Sequence, residues 1–304
     1  MSNNYSCGEF MNQIDNIKTE FIEHIYNKIF RNIYINNVDI FLCGGANSKK
    51  NISTRNKLND KLKNKNEYTI MFPEDLFMEL INKKAYDLLE LEKFLANNCD
   101  VICIVCESPG SFVELGAFVN NEDTFSKVVA LVQTKYKNSK SFIMLGPIRH
   151  IQSKSRSNVI FYSSDIDYLL SQINRLLKKK FLSHFSKPRF KDIDLITGQY
   201  YFILLILYFY KNVEIKSLVF HIQKLYKNMK FDIKDFDIVY SSAIRRLYKE
   251  RLIEKSHNED NTYFYHLSSK GFISAKLLIK NTHIVNKTRI VDGIRLSIIR
   301  DKYY

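Results

Sequence analysis

The spacing of apolar positions changes twice along the chain, and each spacing predicts a different kind of element. Near the start, Phe10, Ile14, Ile17, Phe21, Ile25 and Ile29 recur at steps of three and four. This predicts an amphipathic helix within residues 1–36, one that covers the following domain or makes a subunit contact. From Val38 the pattern becomes short apolar runs: Val38–Cys43, Tyr68–Phe72, Val101–Cys106, Val128–Val132 and Val159–Tyr162. Helical stretches at Thr54–Leu62, Ala85–Ala96 and Phe112–Val119 separate them. Strands that are apolar throughout need both faces covered, and their alternation with helices predicts a parallel sheet. Residues 37–178 therefore read as a doubly wound α/β domain, flavodoxin-like or Rossmann-like.

The basic, proline-containing stretch from Lys178 to Asp194 reads as a linker, placed at residues 179–198. Beyond it, Tyr200–Tyr210, Ile215–Tyr226 and Ile238–Lys249 carry helical patterns. Leu252–Lys255 and Tyr263–Leu267 then flank the polar His257–Asn261, which predicts a β-hairpin, and a last helix starts near Ser269. Three helices followed by a hairpin is the order of a winged helix-turn-helix, assigned to residues 199–304. The tail from Asn281 has no clear assignment.

Composition narrows the picture. Apolar residues make up 45% and charged residues 26% of the 304, which excludes disorder along the whole chain. The formal charge is +14, and from Phe181 to Tyr304 there are 22 Lys and Arg against 12 Asp and Glu, so +10 of it falls there. A polyanion such as DNA or RNA is the natural partner, because each neutralised phosphate releases counterions. The plain alternative is a Lys-rich surface that only solvates the domain. Of the five cysteines, Cys103 and Cys106 share a C-x-x-C spacing, but a strand turns them to opposite sides. Buried free thiols are expected rather than a metal, which suits a reducing compartment. The start, MSNNYSCGEF, has no basic segment followed by an apolar run, so a cytoplasmic location is expected. The apolar run Tyr200–Tyr210 is 11 residues long, whereas a crossing helix needs about 20. It reads as a buried core helix, with no membrane role.

Ligands of open parallel sheets bind at the carboxyl ends of the strands. That rule selects Gly44-Gly45, Pro73-Glu74-Asp75 and Glu107-Ser108-Pro109-Gly110-Ser111. Glycines after a strand let a backbone approach a ligand, and amides at a helix start receive phosphate or ribose oxygens. Glu114 lies on the helix that follows the Ser108–Ser111 turn. Read as a first-turn residue, it gains from the helix dipole and stays ionised. Such a carboxylate suits attack on, or stabilisation of, a ribosyl C1′ as its glycosidic bond breaks. Equally, Ser111 and Glu114 form a capping box and do no more than start the helix. Glu74 and Asp75 begin a solvated helix, or Asp75 grips ribose hydroxyls or serves as the general acid. Asp100 precedes its strand and is excluded, being at the wrong end. In the basic domain Ser241, Ser242, Arg245, Arg246 and Lys249 occupy the third helix, the recognition position of a winged helix-turn-helix. Arg245 and Arg246 point in different directions, so one of them at most is expected to reach nucleic acid.

The stretches IFLCGG (Ile40–Gly45), FPEDLF (Phe72–Phe77), ESPGSFVELGAF (Glu107–Phe118) and SFIMLGPIR (Ser141–Arg149) resemble the effector proteins encoded beside retron reverse transcriptases. Those effectors look like nucleoside 2-deoxyribosyltransferases joined to a C-terminal winged-helix DNA-binding domain, and the resemblance is strongest over residues 38–165. It implies an anti-phage toxin that hydrolyses the N-glycosidic bond of NAD or a related nucleotide, with Glu114 as the catalytic carboxylate. NAD is then a substrate, and no cofactor is implied. The resemblance also implies a reverse transcriptase and its RNA-linked single-stranded DNA (msDNA) as partners, and assembly into filaments. The alternative class is a DNA-binding regulator that senses a nucleotide without cleaving it.

Overall fold

A computed structural model of the chain describes residues 17–35, 37–47, 51–65, 67–72, 94, 96–182 and 189–303. The chain divides into two compact units: residues 36–188, and Arg189–Tyr304 together with the N-terminal segment through Ile35.

The first unit is built on five parallel strands, β1 (Val38–Cys43), β2 (Tyr68–Met71), β3 (Val101–Cys106), β4 (Val128–Gln133) and β5 (Val159–Tyr162). Their order is β2-β1-β3-β4-β5, the doubly wound arrangement in which the chain reverses direction between β1 and β3. Every residue of β1 and β3 is buried, as central strands require; all are apolar except Asp39 of β1. One face of the sheet, through Ile40, Leu42, Cys103 and Val105, packs on Leu58 and Leu62 of α2 (Thr54–Leu62) and on Leu169, Ile173 and Leu177 of a later helix. On the other face the ring of Phe41 meets Phe118 of α3 (Pro109–Val119) edge-on at 5.9 Å. Each such fully buried side chain contributes roughly 1.5–3 kcal/mol.

After β4 the chain runs through a π-helical turn at Met144–Ile148 into α4 (Arg149–Lys154), and after β5 into α5 (Ile166–Phe181). The sequence reading passed over α5, although Leu169, Ile173 and Leu177 recur at helical spacing and Asp165 caps it, accepting from the Tyr168 amide at 2.9 Å. Lys178–Lys180 end this helix, where positive charge is favoured, so the basic run that looked like linker begins as helix. The predicted helix Ala85–Ala96 lies outside the described residues except for Phe94 and Ala96.

The second unit is organised around α6 (Ile196–Phe209), of whose 14 residues 12 are buried. That accounts for the YYFILLILYFY run, and no helix among the described residues is long and apolar enough to cross a membrane. The N-terminal helix α1 (Thr19–Lys28) belongs to this core: Tyr26 meets Phe202 edge-on at 5.8 Å. Its hydroxyl also donates to Asp192 at 2.8 Å, while the Ile35 amide donates to the Arg189 carbonyl at 2.9 Å. After α6 come a short strand β6 (Val213–Glu214), α7 (Ile215–Asn228), α8 (Phe236–Lys249), the hairpin β7 (Ile253–His257) and β8 (Tyr263–Leu267), and α9 (Ser269–Lys280). The three strands form an antiparallel sheet in the order β6-β8-β7. The unassigned tail is helical, α10 (Lys287–Tyr303). Gly198 allows the start of α6 to cross the preceding chain, since a Cβ there would lie 1.8 Å from the Asp192 carbonyl oxygen.

Candidate functional site

At the end of β3 the chain turns sharply into α3, and two serines build the turn. The Ser108 hydroxyl accepts from the Ser111 amide at 3.2 Å, and the Ser111 hydroxyl accepts from the amides of Glu107 and Ser108 at 3.2 and 3.1 Å. With Pro109 at the first helical position, the capping box is Ser108–Ser111, not Ser111–Glu114. Glu114 is therefore in the second turn of α3, and the first turn holds no acidic residue. That corrects the dipole argument, because the favourable effect on a carboxylate fades beyond the first turn. Glu114 is half-buried, with its Oε2 shut off from solvent. Burial pushes the Cys106 thiol up to about 12, with the charge of Glu114 adding to it, so Glu114 lies near the last residue of β3.

Across the switch point, Gly44 has φ 155°, and a Cβ there would meet Arg55 Cβ at 3.0 Å and Val105 Cβ at 3.1 Å. The neighbouring amides already have an anion. Glu107 Oε1 accepts from Gly45 N at 3.2 Å and Arg55 N at 3.1 Å, and Oε2 accepts from Thr54 N at 2.9 Å. Thr54 and Arg55 are the first residues of α2, the position at which a helix ordinarily receives a phosphate. At Gly45, one of the residues expected to cradle phosphate and sugar, the amide is held by the protein's own carboxylate. Sequence reasoning quoted Glu107 but gave it no role, although an acidic residue directly after a central strand at the switch point was the available signal. It also missed Arg55, which is buried, with its guanidinium 5.2 Å from the centre of the Phe72 ring.

Pro109 and Gly110 are exposed at the outer side of the turn, and a Cβ on Gly110 would meet nothing within 4 Å. Pro73, Glu74 and Asp75 lie outside the described residues. Asp100 sits at the opposite end of the sheet, as expected, where its Oδ2 accepts from the Asp39 amide at 2.8 Å.

The candidates on α8 divide by the face they occupy. Ser242 is 3% exposed, among Val239, Ala243 and Leu247, and is too deep to touch nucleic acid. Arg246 is committed inside its own unit: Nε donates to Glu250 Oε1 at 2.9 Å, Nη1 to Thr197 Oγ1 at 3.3 Å, and the guanidinium lies 4.2 Å over the Tyr200 ring. Both assignments to nucleic acid are corrected on that ground. Lys249 is exposed and Arg245 half-exposed. The hairpin adds a contact that sequence reasoning missed, with Lys255 Nζ 3.8 Å over the ring of Tyr263.

Comparison with known proteins gives these positions a context. Residues 51–255 match the family model described as STM3845 retron effector protein. An Escherichia coli protein named "Retron Ec86 putative ribosyltransferase/DNA-binding protein" is 34% identical over 253 residues, 79% of this chain and 80% of its own length. Its retron Ec73 counterpart, also from Escherichia coli and of the same designation, is 34% identical over 124 residues, 39% of each chain. A family match over more than half the chain, together with a relative aligned along most of its length, leads to one conclusion: this chain belongs to the STM3845 retron effector protein family.

Proposed function

We propose that the α/β unit breaks the N-glycosidic bond of NAD or a related nucleotide, while the helical unit, a winged helix-turn-helix, holds nucleic acid. The observation that carries this reading is the position of Glu114, half-buried in the second turn of α3, the helix that leaves the carboxyl end of β3 through the Ser108–Ser111 turn. That rim lies at the β1–β3 switch point, where ligands of doubly wound sheets bind. Glu114 attacks C1′ or stabilises the cation that forms there. The C1′–N bond breaks with its electron pair leaving on the base, and water then adds its hydroxyl to C1′ and releases a proton. Nicotinamide departs from NAD neutral and needs no acid; for other bases Asp75 or Glu74 is the candidate donor.

The nucleic-acid reading draws on the +10 charge of residues 181–304 and on the helix, strand, helix, helix, hairpin order from α6 to β8. The names of the relatives, which join ribosyltransferase to DNA-binding, support the same division of labour. In this account the chain is an anti-phage toxin governed by a retron reverse transcriptase and its msDNA, in a filament or other higher-order assembly.

The test is to incubate the purified protein with NAD, nucleosides and nucleoside monophosphates and to separate the products by chromatography. Free base from at least one substrate supports the reading; intact substrate in every case, with msDNA and reverse transcriptase present or absent, refutes it. The relatives' names favour transfer as a variant, and adding a second free base reveals exchange in place of hydrolysis. A second reading, a DNA-binding regulator that senses a nucleotide, draws on Glu107, which already fills the anion position at α2. It expects nucleotide binding with no base released.

A further inference from the structure

The end of the sheet opposite Glu114 opens into a cavity of about 440 Å3. Its charged lining is entirely basic: Lys154 from the end of α4, and Lys179 and Lys180 from the last turn of α5. Ser155 and Ser157 add two hydroxyls, 3.1 Å apart. The remaining wall includes Phe125 and Leu176, an apolar surface against which a planar ring can lie.

The bland explanation of the lysines is that they complement helix carboxyl ends. Two such ends, of α4 and α5, each supply roughly half a negative charge. Three ammonium groups exceed that by about two charges. Among the described residues none of the three makes an ion pair with a carboxylate. Lys180 instead donates to the Ser126 carbonyl at 3.1 Å, and burial lowers its pKa. Like charges gathered around a concavity repel one another, and an anion bound among them relieves the repulsion. The volume lies in the range of small-molecule sites, and a concavity with an apolar wall suits a compact phosphorylated molecule.

We infer that this cavity binds a phosphorylated small molecule of nucleotide size, at a site separate from the candidate active site at the opposite end of the sheet. The lysines hold the phosphate, the serines its remaining oxygens, and Phe125 with Leu176 the base. The inference does not depend on the glycosidase reading, since none of its residues belongs to that site.

Calorimetric titration of the full chain with ADP, inorganic phosphate and adenosine tests it. ADP is expected to bind, phosphate more weakly, and adenosine not at this site. The Lys179→Ala/Lys180→Ala protein is expected to lose at least about tenfold in ADP affinity. Ser157→Glu, which adds a negative charge, is expected to weaken ADP similarly, while Glu114→Gln leaves this binding unchanged. ADP affinity unaffected by both cavity variants overturns the inference. So does displacement of ADP by a single-stranded oligonucleotide whose own binding needs the same lysines, because the ligand would then be a nucleic-acid backbone.

Discussion

The two units of this protein put their central charged side chains to different structural use. At the carboxyl end of the parallel sheet, Glu107 is consumed by three backbone amides, and this internal anion fixes the loop after β1 against the turn after β3. Glu114 stands half-buried in the second turn of α3, the helix that leaves the same rim. On α8 the charge committed inward is Arg246, held by Glu250, Thr197 and the Tyr200 ring, while Lys249 one turn later is exposed. In each unit one charged residue organises the scaffold, and another stands a turn or two away: Glu114 half-buried, Lys249 exposed. The difference is what the scaffold residue does: Glu107 closes a site that a ligand's anion would otherwise fill, whereas Arg246 joins α8 to α6 and closes nothing.

That contrast can be broken by substitution. Glu114→Gln is expected to lower base release about a thousandfold with an unchanged melting temperature, checked by product chromatography beside thermal unfolding. Gly198→Ala is expected to destabilise the helical unit by about 3 kcal/mol, because its methyl group would collide with the Asp192 carbonyl; chemical denaturation measures it. Glu107→Ala is expected to cost about 2–3 kcal/mol and to reduce activity as well, since three amides lose a charged acceptor, and Glu107→Gln should cost less. Equal behaviour of Glu107→Ala and Glu114→Gln in unfolding would erase the distinction between scaffold and site.

The helical unit sharpens the comparison with smaller effects. Arg246→Ala is expected to lower stability by about 1–2 kcal/mol and leave the salt dependence of nucleic-acid binding alone. Lys249→Ala should do the reverse, reducing the log-log salt slope by about one with no shift in melting. Filter binding across a salt series separates them. Gly110→Ala, whose new methyl group meets open space, is expected to stay within about 0.5 kcal/mol of the parent.

These contrasts also show what was legible in the residues. The five strands and most helices followed from apolar spacing, because a buried strand has no choice but to be apolar on both sides. The strand-end rule located Gly44, Gly45 and the Ser108–Ser111 turn without coordinates. Which side chain would cap α3 was not legible, since Ser111 and Glu114 fit the capping pattern as well as Ser108 and Ser111 do. Ser242 and Arg246 were misread for a related reason. Their orientation depends on the rotation of α8 against α6, and a serine among Val239, Ala243 and Leu247 is set by that packing, not by its polarity. Helix α5 received no assignment, and only its last turn, with Lys178–Lys180, fell in the basic stretch that resembles linker.

The central claim is that the Glu114 carboxylate meets the sugar carbon of a bound nucleotide. A crystal structure of the Glu114→Gln protein with uncleaved substrate measures this directly. The account expects C1′ about 3–3.5 Å from the residue 114 side chain, with the sugar against the Ser108–Ser111 turn. A nucleotide bound with its sugar elsewhere, and residue 114 out of reach of C1′, would contradict it.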